Sequence, residues 1–327
     1  MRFSGFDDEW KKSNLGNISS NEMYGMNSAA KDYDGFNKYI RITDISETSN
    51  KFIPNPLTSP DGDLEDKYKL KKGDIVFART GASTGKTYLY DDNDRNLYFA
   101  GFLIKFHIDN ADPKFIFYNT LKEEYLNWVS VMSVRSGQPG INSNEYKKLP
   151  IILPSLDEQN KISNFLTSID KKIDLLERKH QFYQEFKKFL MQQIFTQKLR
   201  FNFTDDWNYM NFSEIFKSVS TKKYQIKSAD ILDKGDFEVI DQGQDEIAGY
   251  FNDKTKLCQE LPIIIYGDHT TFVKFRDKPF IVGADGVKLL IPKFNANPKY
   301  LFYALEHFNI KPEGYKRHFS IIKKIKH

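Results

Sequence analysis

The sequence predicts two related α+β domains joined by a long helix of coiled-coil type. Three observations predict this architecture: a long segment with helical periodicity, a residue pattern that occurs on both sides of it, and short β-branched or aromatic runs in each half. We expect the first domain at residues 1–153, the helix at 154–198 and the second domain at 199–327.

The helical segment, Ser155 to Lys198, contains neither Pro nor Gly. Ser155 and Glu158 follow Pro154 at the spacing of a capping box, which predicts the start of the helix. Apolar residues recur at alternating steps of four and three, as on a helix that faces a partner helix, and a helix of this length suits a spacer. One long helix lying across a single core would show the same period. The expected seam is Ile162, Leu166, Ile169, Ile173, Leu176, Tyr183, Leu190 and Ile194, with His180 and Lys187 either setting a register or marking solvated positions.

A residue pattern near the start of the chain returns after the helical segment. A second match, between 113–118 and 298–303, opens with Pro-Lys-aromatic in both halves, which is typical of a helix start and predicts helices over about 113–127 and 298–309. The chain therefore contains an internal repeat, and its two halves are related domains. The first match pairs Phe6, Asp8, Glu9, Trp10 and Ile18 with Phe203, Asp205, Asp206, Trp207 and Ile215.

Each half also contains short runs of β-branched and aromatic residues bounded by Gly, Asp or Asn, which predict strands. Together with the helix in each half, these strands make each domain α+β. The predicted strands are 39–43, 74–79, 87–90 and 102–106 in the first half, and 237–240, 263–266 and 287–291 in the second.

Composition limits the class of protein. A chain of 327 residues with 40% hydrophobic residues can bury a sizeable core in each of two domains. The lone cysteine, Cys258, fits a reducing cytoplasm, and no apolar run is long enough for a signal or a membrane span, so we expect a cytoplasmic protein. The net charge of +4 is too small to indicate a polyanion partner, so any nucleic-acid surface must come from local clusters.

Two motifs resemble catalytic ones. Gly81 to Thr87 imitates a phosphate-binding loop but has one residue too few between its glycines, which leaves a basic turn near a DNA backbone or a plain structural turn. Asn297-Pro298-Lys299-Tyr300 is close to a motif of adenine methyltransferases, but its repeat at Asp112 and the absence of a Gly-rich methyl-donor turn favour a shared helix start. No histidines stand at metal-ligand spacing. The sequence also shows neither a Gly-rich donor loop nor an acidic metal cluster, and we therefore expect no catalysis by a fused nuclease or methyltransferase.

Three further stretches carry a family resemblance: Tyr39–Ile45, Lys72–Val76 and, above all, Leu149–Ile162, which contains Pro-Ser-Leu-Asp-Glu-Gln before the long helix. With the aromatic-acidic-Trp opening, they make the chain similar to the DNA-specificity subunit of type I restriction-modification systems. The resemblance covers nearly the whole chain.

This resemblance implies two target-recognition domains, each of which reads one half of a bipartite site in double-stranded DNA, with the helix setting the spacing and docking the partners. It also implies a non-catalytic subunit of a host-defence complex. Two methyltransferase subunits would use S-adenosylmethionine, and restriction subunits would use ATP and Mg, so this chain itself would hold no cofactor.

The chain departs from the family pattern after its second half, where a second long helix is expected and the sequence ends at His327. Two readings follow. The seam pairs with the same helix of a second chain, giving a homodimer, or the chain is a truncated specificity protein that acts as a free-standing or inhibitory binder of DNA and methyltransferase.

DNA reading requires donors in fork geometry that reach base edges, among cations and hydroxyls that bind phosphate. Two clusters in the first half and three in the second meet this requirement, although a solvated surface role stays open for each residue. The candidates are Arg79, Thr80, Ser83, Thr84, Lys86, Arg135, Ser136 and Gln138 in the first half, and Gln242, Gln244, His269, Thr270, Thr271, Tyr315, Lys316, Arg317 and His318 in the second.

Overall fold

The structure, a computed structural model, describes residues 2–202, 206–208, 210–283, 285–314 and 316–324. The chain divides into two compact units, Met1–Glu177 and Arg178–His327. Each unit contains both helices and strands, which confirms the predicted α+β class, and one long helix runs from the first unit into the second. No helix in the described ranges has the length and apolar character needed to cross a membrane.

The first unit begins with strands and ends with helices. Its elements, in chain order, are β1 (Lys11–Asn14), α1 (Leu15–Ile18), β2 (Ser19–Tyr24), β3 (Ala29–Asp32), β4 (Lys38–Ile40), β5 (Thr58–Asp61), β6 (Asp74–Ala78), β7 (Thr87–Leu89), β8 (Leu97–Phe99), β9 (Leu103–Ile108), α2 (Pro113–Asn119), α3 (Glu123–Met132), α4 (Ser143–Tyr146), β10 (Pro150–Leu153) and the first part of α5 (Leu156–Phe195).

A four-stranded sheet in the order β2-β9-β6-β7 forms the centre of this unit, and β6 pairs antiparallel with both neighbours. Successive side chains of a strand point to opposite faces of its sheet. Ile75 and Phe77 pack in a cluster with residues of α2, α3 and α4, whereas Val76 and Ala78 pack in another with residues of β4 and β8. Strand β6 is therefore buried on both faces.

Tyr146, at the end of α4, joins the helical layer to this strand. Its side chain is completely buried, and its ring lies 4.9 Å from that of Phe77 and 6.0 Å from that of Trp128. Its hydroxyl donates to the carbonyl oxygen of Ala78 at 2.7 Å. Burial raises the pKa of this phenol, so the hydroxyl keeps its proton as a donor.

The second unit repeats this plan. Its central sheet has the order β11-β18-β15-β16, and β15 again pairs antiparallel with both neighbours, with Ile264 and Tyr266 on one face and Ile263 and Ile265 on the other. A second sheet has the order β12-β17-β13-β14. The elements are α6 (Phe212–Ile215), β11 (Phe216–Val219), β12 (Gln225–Ile226), β13 (Phe237–Ile240), β14 (Gly249–Phe251), β15 (Ile263–Gly267), β16 (Val273–Arg276), β17 (Ile281–Gly283), β18 (Val287–Pro292), α7 (Pro298–His307) and α8 (Phe319–Ile322).

The repeated Pro-Lys-aromatic segments begin helices in both units. The Asp112 carboxylate accepts from the backbone N–H of Phe115 at 2.7 Å before α2, and the Asn297 side chain accepts from those of Lys299 and Tyr300 before α7. These are N-caps, which confirms the shared helix start. Of the other repeat residues, Phe203 and Asp205 lie outside the described residues.

The long helix α5 has the predicted start, with one difference at its cap. The hydroxyl of Ser155 accepts from the backbone N–H of Glu158 at 3.3 Å, as in a capping box. The Glu158 carboxylate instead binds the Arg2 guanidinium, with both its oxygens at 2.7 Å. This pairing lowers the pKa of Glu158. The cap is therefore only half of the predicted box.

Some predicted elements have other limits. The single helix expected over 113–127 is two helices, α2 and α3, which are interrupted near Thr120, and the strand expected over 39–43 ends at Ile40 before a turn of 3-10 helix at Ile42–Asp44. The domain limits at 153/154 and 198/199 stay predictions.

Replacing Tyr146 tests how far the sheet depends on α4. Tyr146→Ala opens a cavity among aromatic rings and should lower the free energy of unfolding of the first unit by about 3–5 kcal/mol. Tyr146→Phe removes one hydrogen bond and should cost about 1 kcal/mol, because Ala78 still accepts from the Gly85 N–H. Urea unfolding followed by tryptophan fluorescence measures both free energies. If the alanine variant had the same urea midpoint as the wild type, the stabilising role of the Tyr146 side chain would be contradicted.

Candidate nucleic-acid interface

In the first unit, the structure brings together the two predicted loops, 79–86 and 135–138. The backbone N–H of Gly81 donates to the carbonyl oxygen of Pro139 at 3.0 Å, and that of Ile141 donates to the carbonyl oxygen of Arg79 at 2.9 Å. Thr80 also forms an isolated bridge with Gly140. The loop that follows β6 and the segment that precedes α4 therefore form one edge of this unit.

Within the first loop, some of the predicted side chains are held by hydrogen bonds or ion pairs within the unit and others are not. Thr84 donates its hydroxyl proton to the Gly81 carbonyl oxygen at 2.7 Å. The Lys86 ammonium donates to the Ile45 carbonyl oxygen at 3.1 Å and pairs with Glu47, and its side chain is largely buried. The segment Gly81 to Thr87, which resembles a phosphate-binding loop, leads into strand β7 and not into a helix N-terminus. Thr80 and Ser83 are half-buried.

Arg79 lies between two aromatic rings that the sequence analysis did not single out. Its Cζ is 5.0 Å from the ring centre of Tyr24 and 5.9 Å from that of Phe102. The two rings come from β2 and from the turn before β9, so only the tertiary fold places them beside Arg79. Phe102, the first residue of the strand predicted over 102–106, is 58% exposed and lies before β9.

The second loop holds an anchored arginine and two exposed polar residues. Both carboxylate oxygens of Glu145 accept from Arg135 Nη2 at 2.6 Å, and Arg135 Nη1 donates to the carbonyl oxygens of Met132 and Val134. Ser136 and Gln138 are exposed. Arg135 thus stabilises the loop, and the neighbouring polar side chains face solvent.

In the second unit, the structure brings together Gln242 and the loop 269–271 after β15. The Gln242 side-chain oxygen accepts from the backbone N–H of His269 at 3.1 Å, and its amide group donates to the Asp285 carbonyl oxygen at 3.1 Å. Thr270 donates its hydroxyl proton to the Gln242 carbonyl oxygen at 2.5 Å, whereas Thr271 is buried. Gln244, two residues on, is exposed and stands apart from this network.

The third predicted segment, 315–318, packs against the same loop. His269 Nδ1 lies 3.1 Å from the Lys316 carbonyl oxygen. His318 is only 1% exposed; its Nε2 accepts from the Glu313 N–H at 2.9 Å, so its Nδ1 is the protonated nitrogen facing the Asp268 carbonyl oxygen. Lys316 and Arg317 are exposed, and Tyr315 lies outside the described residues. His318 therefore supports the loop from inside.

The two edges are built in the same way. The first residue after the central strand accepts a backbone hydrogen bond through its carbonyl oxygen: Arg79 from Ile141 at 2.9 Å, and Asp268 from His318 at 2.7 Å. Ile141 lies two residues before the start of α4, and His318 directly precedes α8; both are four-residue helices. The side chains differ, because Asp268 is buried and lies 3.5 Å from the Lys288 ammonium. One backbone frame thus presents different chemistry in each unit.

Two other lysines are held inside the units. Lys274 Nζ donates to the Asp245 carbonyl oxygen at 2.6 Å, and Lys105 Nζ donates to the Lys67 carbonyl oxygen at 3.2 Å. Burial lowers the pKa of both amines, against the opposing effect of Asp241 and Asp74 respectively. These cations are structural. Within the described part of the chain, no cluster of three His, Cys, Asp or Glu residues could hold a metal ion.

The seam predicted on α5 is covered at both ends and exposed in the middle. Ile162 packs on the core of the first unit, and Phe195, one residue beyond Ile194, stacks on His307 in the second. Leu166 and Leu190 are half-buried. Between them, the exposed seam residues are Ile169, Ile173, Leu176 and Tyr183.

The contacts of Gln242 distinguish it from Gln244. Gln242→Ala removes two side-chain hydrogen bonds that position the His269 loop, and should lower the free energy of unfolding of the second unit by about 1–2 kcal/mol. Gln244→Ala is the matched control and should change it by less than about 0.5 kcal/mol. Urea unfolding followed by Trp207 fluorescence measures both values; equal effects would contradict the positioning role of Gln242.

Known proteins share the sequence pattern and the fold. The specificity subunit of the type I restriction enzyme HindI from Haemophilus influenzae is 26% identical over 193 residues, which cover 57% of this chain and 41% of the relative. The chain thus matches less than half the length of this relative.

Two solved structures resemble the chain in fold. The S subunit of a type I restriction-modification system from M. genitalium has a TM-score of 0.61 at 17% identity, covering 93% of this chain and 78% of that one. A chain from a structure of complex assembly and conformational transition of the type I R-M system has a TM-score of 0.50 at 15% identity, covering 99% and 87%.

A family model described as the type I restriction modification DNA specificity domain matches residues 7–181 and again 204–326. The two matches fall on the two halves that the internal repeat and the strand order relate to each other. The chain belongs to the type I restriction modification DNA specificity domain family.

Proposed function

We propose that this protein is the DNA-binding specificity subunit of a type I restriction-modification complex, in which each unit reads one half of a bipartite DNA site. The observation that carries the proposal is the repeated edge: in both units, polar loops gather where the central strand ends. Exposed polar side chains at these edges, including Gln138, Lys316 and Arg317, suit contacts to phosphates and base edges. His318 and Lys86 support the loops from within.

The helix α5 sets the spacing of the half-sites and docks the partners in this proposal. We assign 1–153 and 199–327 to target recognition and 154–198 to the spacer. A helix is stiff along its axis, so a spacer of fixed length favours half-sites that are a fixed number of base pairs apart. The exposed apolar side chains in its middle supply a surface for another helix.

The chain acts without catalysis or a cofactor of its own. Two methyltransferase subunits that use S-adenosylmethionine would modify adenine, and restriction subunits that use ATP and Mg would cleave DNA, all in the cytoplasm. The family membership supports this division of labour. Asn297, in the segment that resembles a methyltransferase motif, is engaged as an N-cap, which also supports it.

Reconstitution with the modification subunit of the same system tests the function. We expect a stable complex that methylates adenines of genomic DNA within one bipartite motif, read by mapping methylated positions. The matched control is the modification subunit alone, which should show no motif. Failure of the subunits to associate, or methylation without any motif, would contradict the proposal.

We further propose that α5 pairs with the same helix of a second chain. Ile173, Leu176 and Tyr183 are 47%, 55% and 60% exposed on the seam, which is unusual for a surface helix.

Light scattering at micromolar concentration tests this pairing. The wild-type chain should be a dimer, and the double variant Ile173→Asp with Leu176→Asp should be a monomer, because burying two carboxylates in a helix pair is costly. Lys171→Asp, on the opposite side of the helix, is the control and should stay dimeric. A wild-type monomer would overturn the pairing.

A further inference from the structure

Arg79 combines features that distinguish it from the other basic residues at the two edges. No described residue accepts a hydrogen bond from its guanidinium group. Its Nε is buried without a partner, whereas its two Nη atoms are not among the buried unpaired atoms. By contrast, Arg135 uses both Nη atoms on Glu145 and backbone carbonyls. The two Nη atoms of Arg79 thus stay available as donors, although the Nε of the same guanidinium group is buried.

The two rings beside Arg79 are held by the backbone. The Tyr24 hydroxyl accepts from the backbone N–H of Ser143 at 3.3 Å. Phe102 lies inside a tight turn that the Leu103 N–H closes on the Ala100 carbonyl oxygen at 2.9 Å. The Gly101 N–H of this turn donates to the Met26 carbonyl oxygen at 2.7 Å, and the Phe102 carbonyl oxygen accepts from the Arg79 N–H at 3.0 Å. Cation–π contact with both rings limits the rotamers of Arg79. The fork is therefore pre-organised before any ligand binds.

The surroundings favour a base edge over a phosphate as the ligand of this fork. Arginine binds guanine O6 and N7 through two parallel hydrogen bonds in the major groove, where neighbouring thymine methyl groups pack on apolar side chains. Phe102, with 58% of its side chain exposed, offers such an apolar surface next to the fork. A phosphate group at the same place would lie against the apolar Phe102 ring, which offers it no hydrogen-bond donor.

We propose that Arg79, held between Tyr24 and Phe102, is a specificity-determining residue of the first unit that binds a guanine in one half-site. This inference rests on the proposed function and deepens it. Phe102 and Tyr24 act as positioning residues. The second unit has buried Asp268 at the corresponding place, so it has no counterpart of this arginine contact.

Selection of bound duplexes from a randomised pool by the complex with modification subunits tests the inference. The wild-type complex should select a bipartite motif with a fixed G·C pair in one half. Arg79→Ala should make that single position degenerate and weaken binding to the selected site by about 10- to 100-fold, with the other half-site unchanged. Arg79→Lys should also make that position degenerate, because lysine keeps the positive charge but lacks the two parallel donors of the guanidinium group. Lys72→Ala, an exposed lysine of the same unit, should leave the motif intact.

Variants of Phe102 separate positioning from folding. Phe102→Ala should weaken the preference for guanine at the same position of the motif, whereas Phe102→Tyr should keep it. The urea midpoints of unfolding of both variants should equal that of the wild type. A uniform loss of affinity for all sequences in Arg79→Ala would assign a phosphate contact and overturn the guanine contact, as would an unchanged motif or a wild-type motif without a fixed G·C pair. A wild-type complex that selects no motif would overturn the proposed function as well.

Discussion

Each unit depends on a central strand that is buried on both faces and hydrogen-bonded along both edges. Because both faces are apolar, the side-chain pattern alone does not fix the register of this strand, since a slip by one residue still buries apolar groups. In the first unit, the two ends fix it instead. Buried Asp74 accepts from the Lys71 N–H and lies 2.8 Å from His107 Nδ1, and the carbonyl oxygen of Arg79 accepts from the Ile141 N–H. The polar contacts at the two ends of β6 thus also fix its register in the sheet.

Local signals in the sequence were sufficient for the central strands of both units and for the long helix, but not for most of the shorter strands around them. The strand over 237–240 and the start of α5 were predicted from runs, caps and periodicity, which are properties of neighbouring residues. The interruption near Thr120 was not predicted, because neither Pro nor Gly marks it in the sequence. The relation between the halves was accessible because a repeat is visible without any knowledge of contacts.

The edges themselves were only partly predictable. The sequence indicated the loops, but not which of their side chains the fold itself holds. Lys86 and His318 have the right chemistry but are held inside the units, and Phe102 begins a predicted strand but is exposed. Such assignments depend on contacts between residues far apart in the chain, as between Arg79 and Tyr24. Residue type and spacing contain no information on those contacts. A common frame with variable side chains is consistent with the divergence of the two halves between their matched ends.

The exposed middle of α5 has a consequence for how long the chain survives in a cell. Apolar helix surfaces of the kind formed by Ile173, Leu176 and Tyr183 are what chaperones and proteases bind on incompletely assembled proteins. A copy whose helix stays uncovered is then cleared sooner than a copy inside an assembly. The supply of whatever covers α5 would thereby set the steady-state amount of this chain.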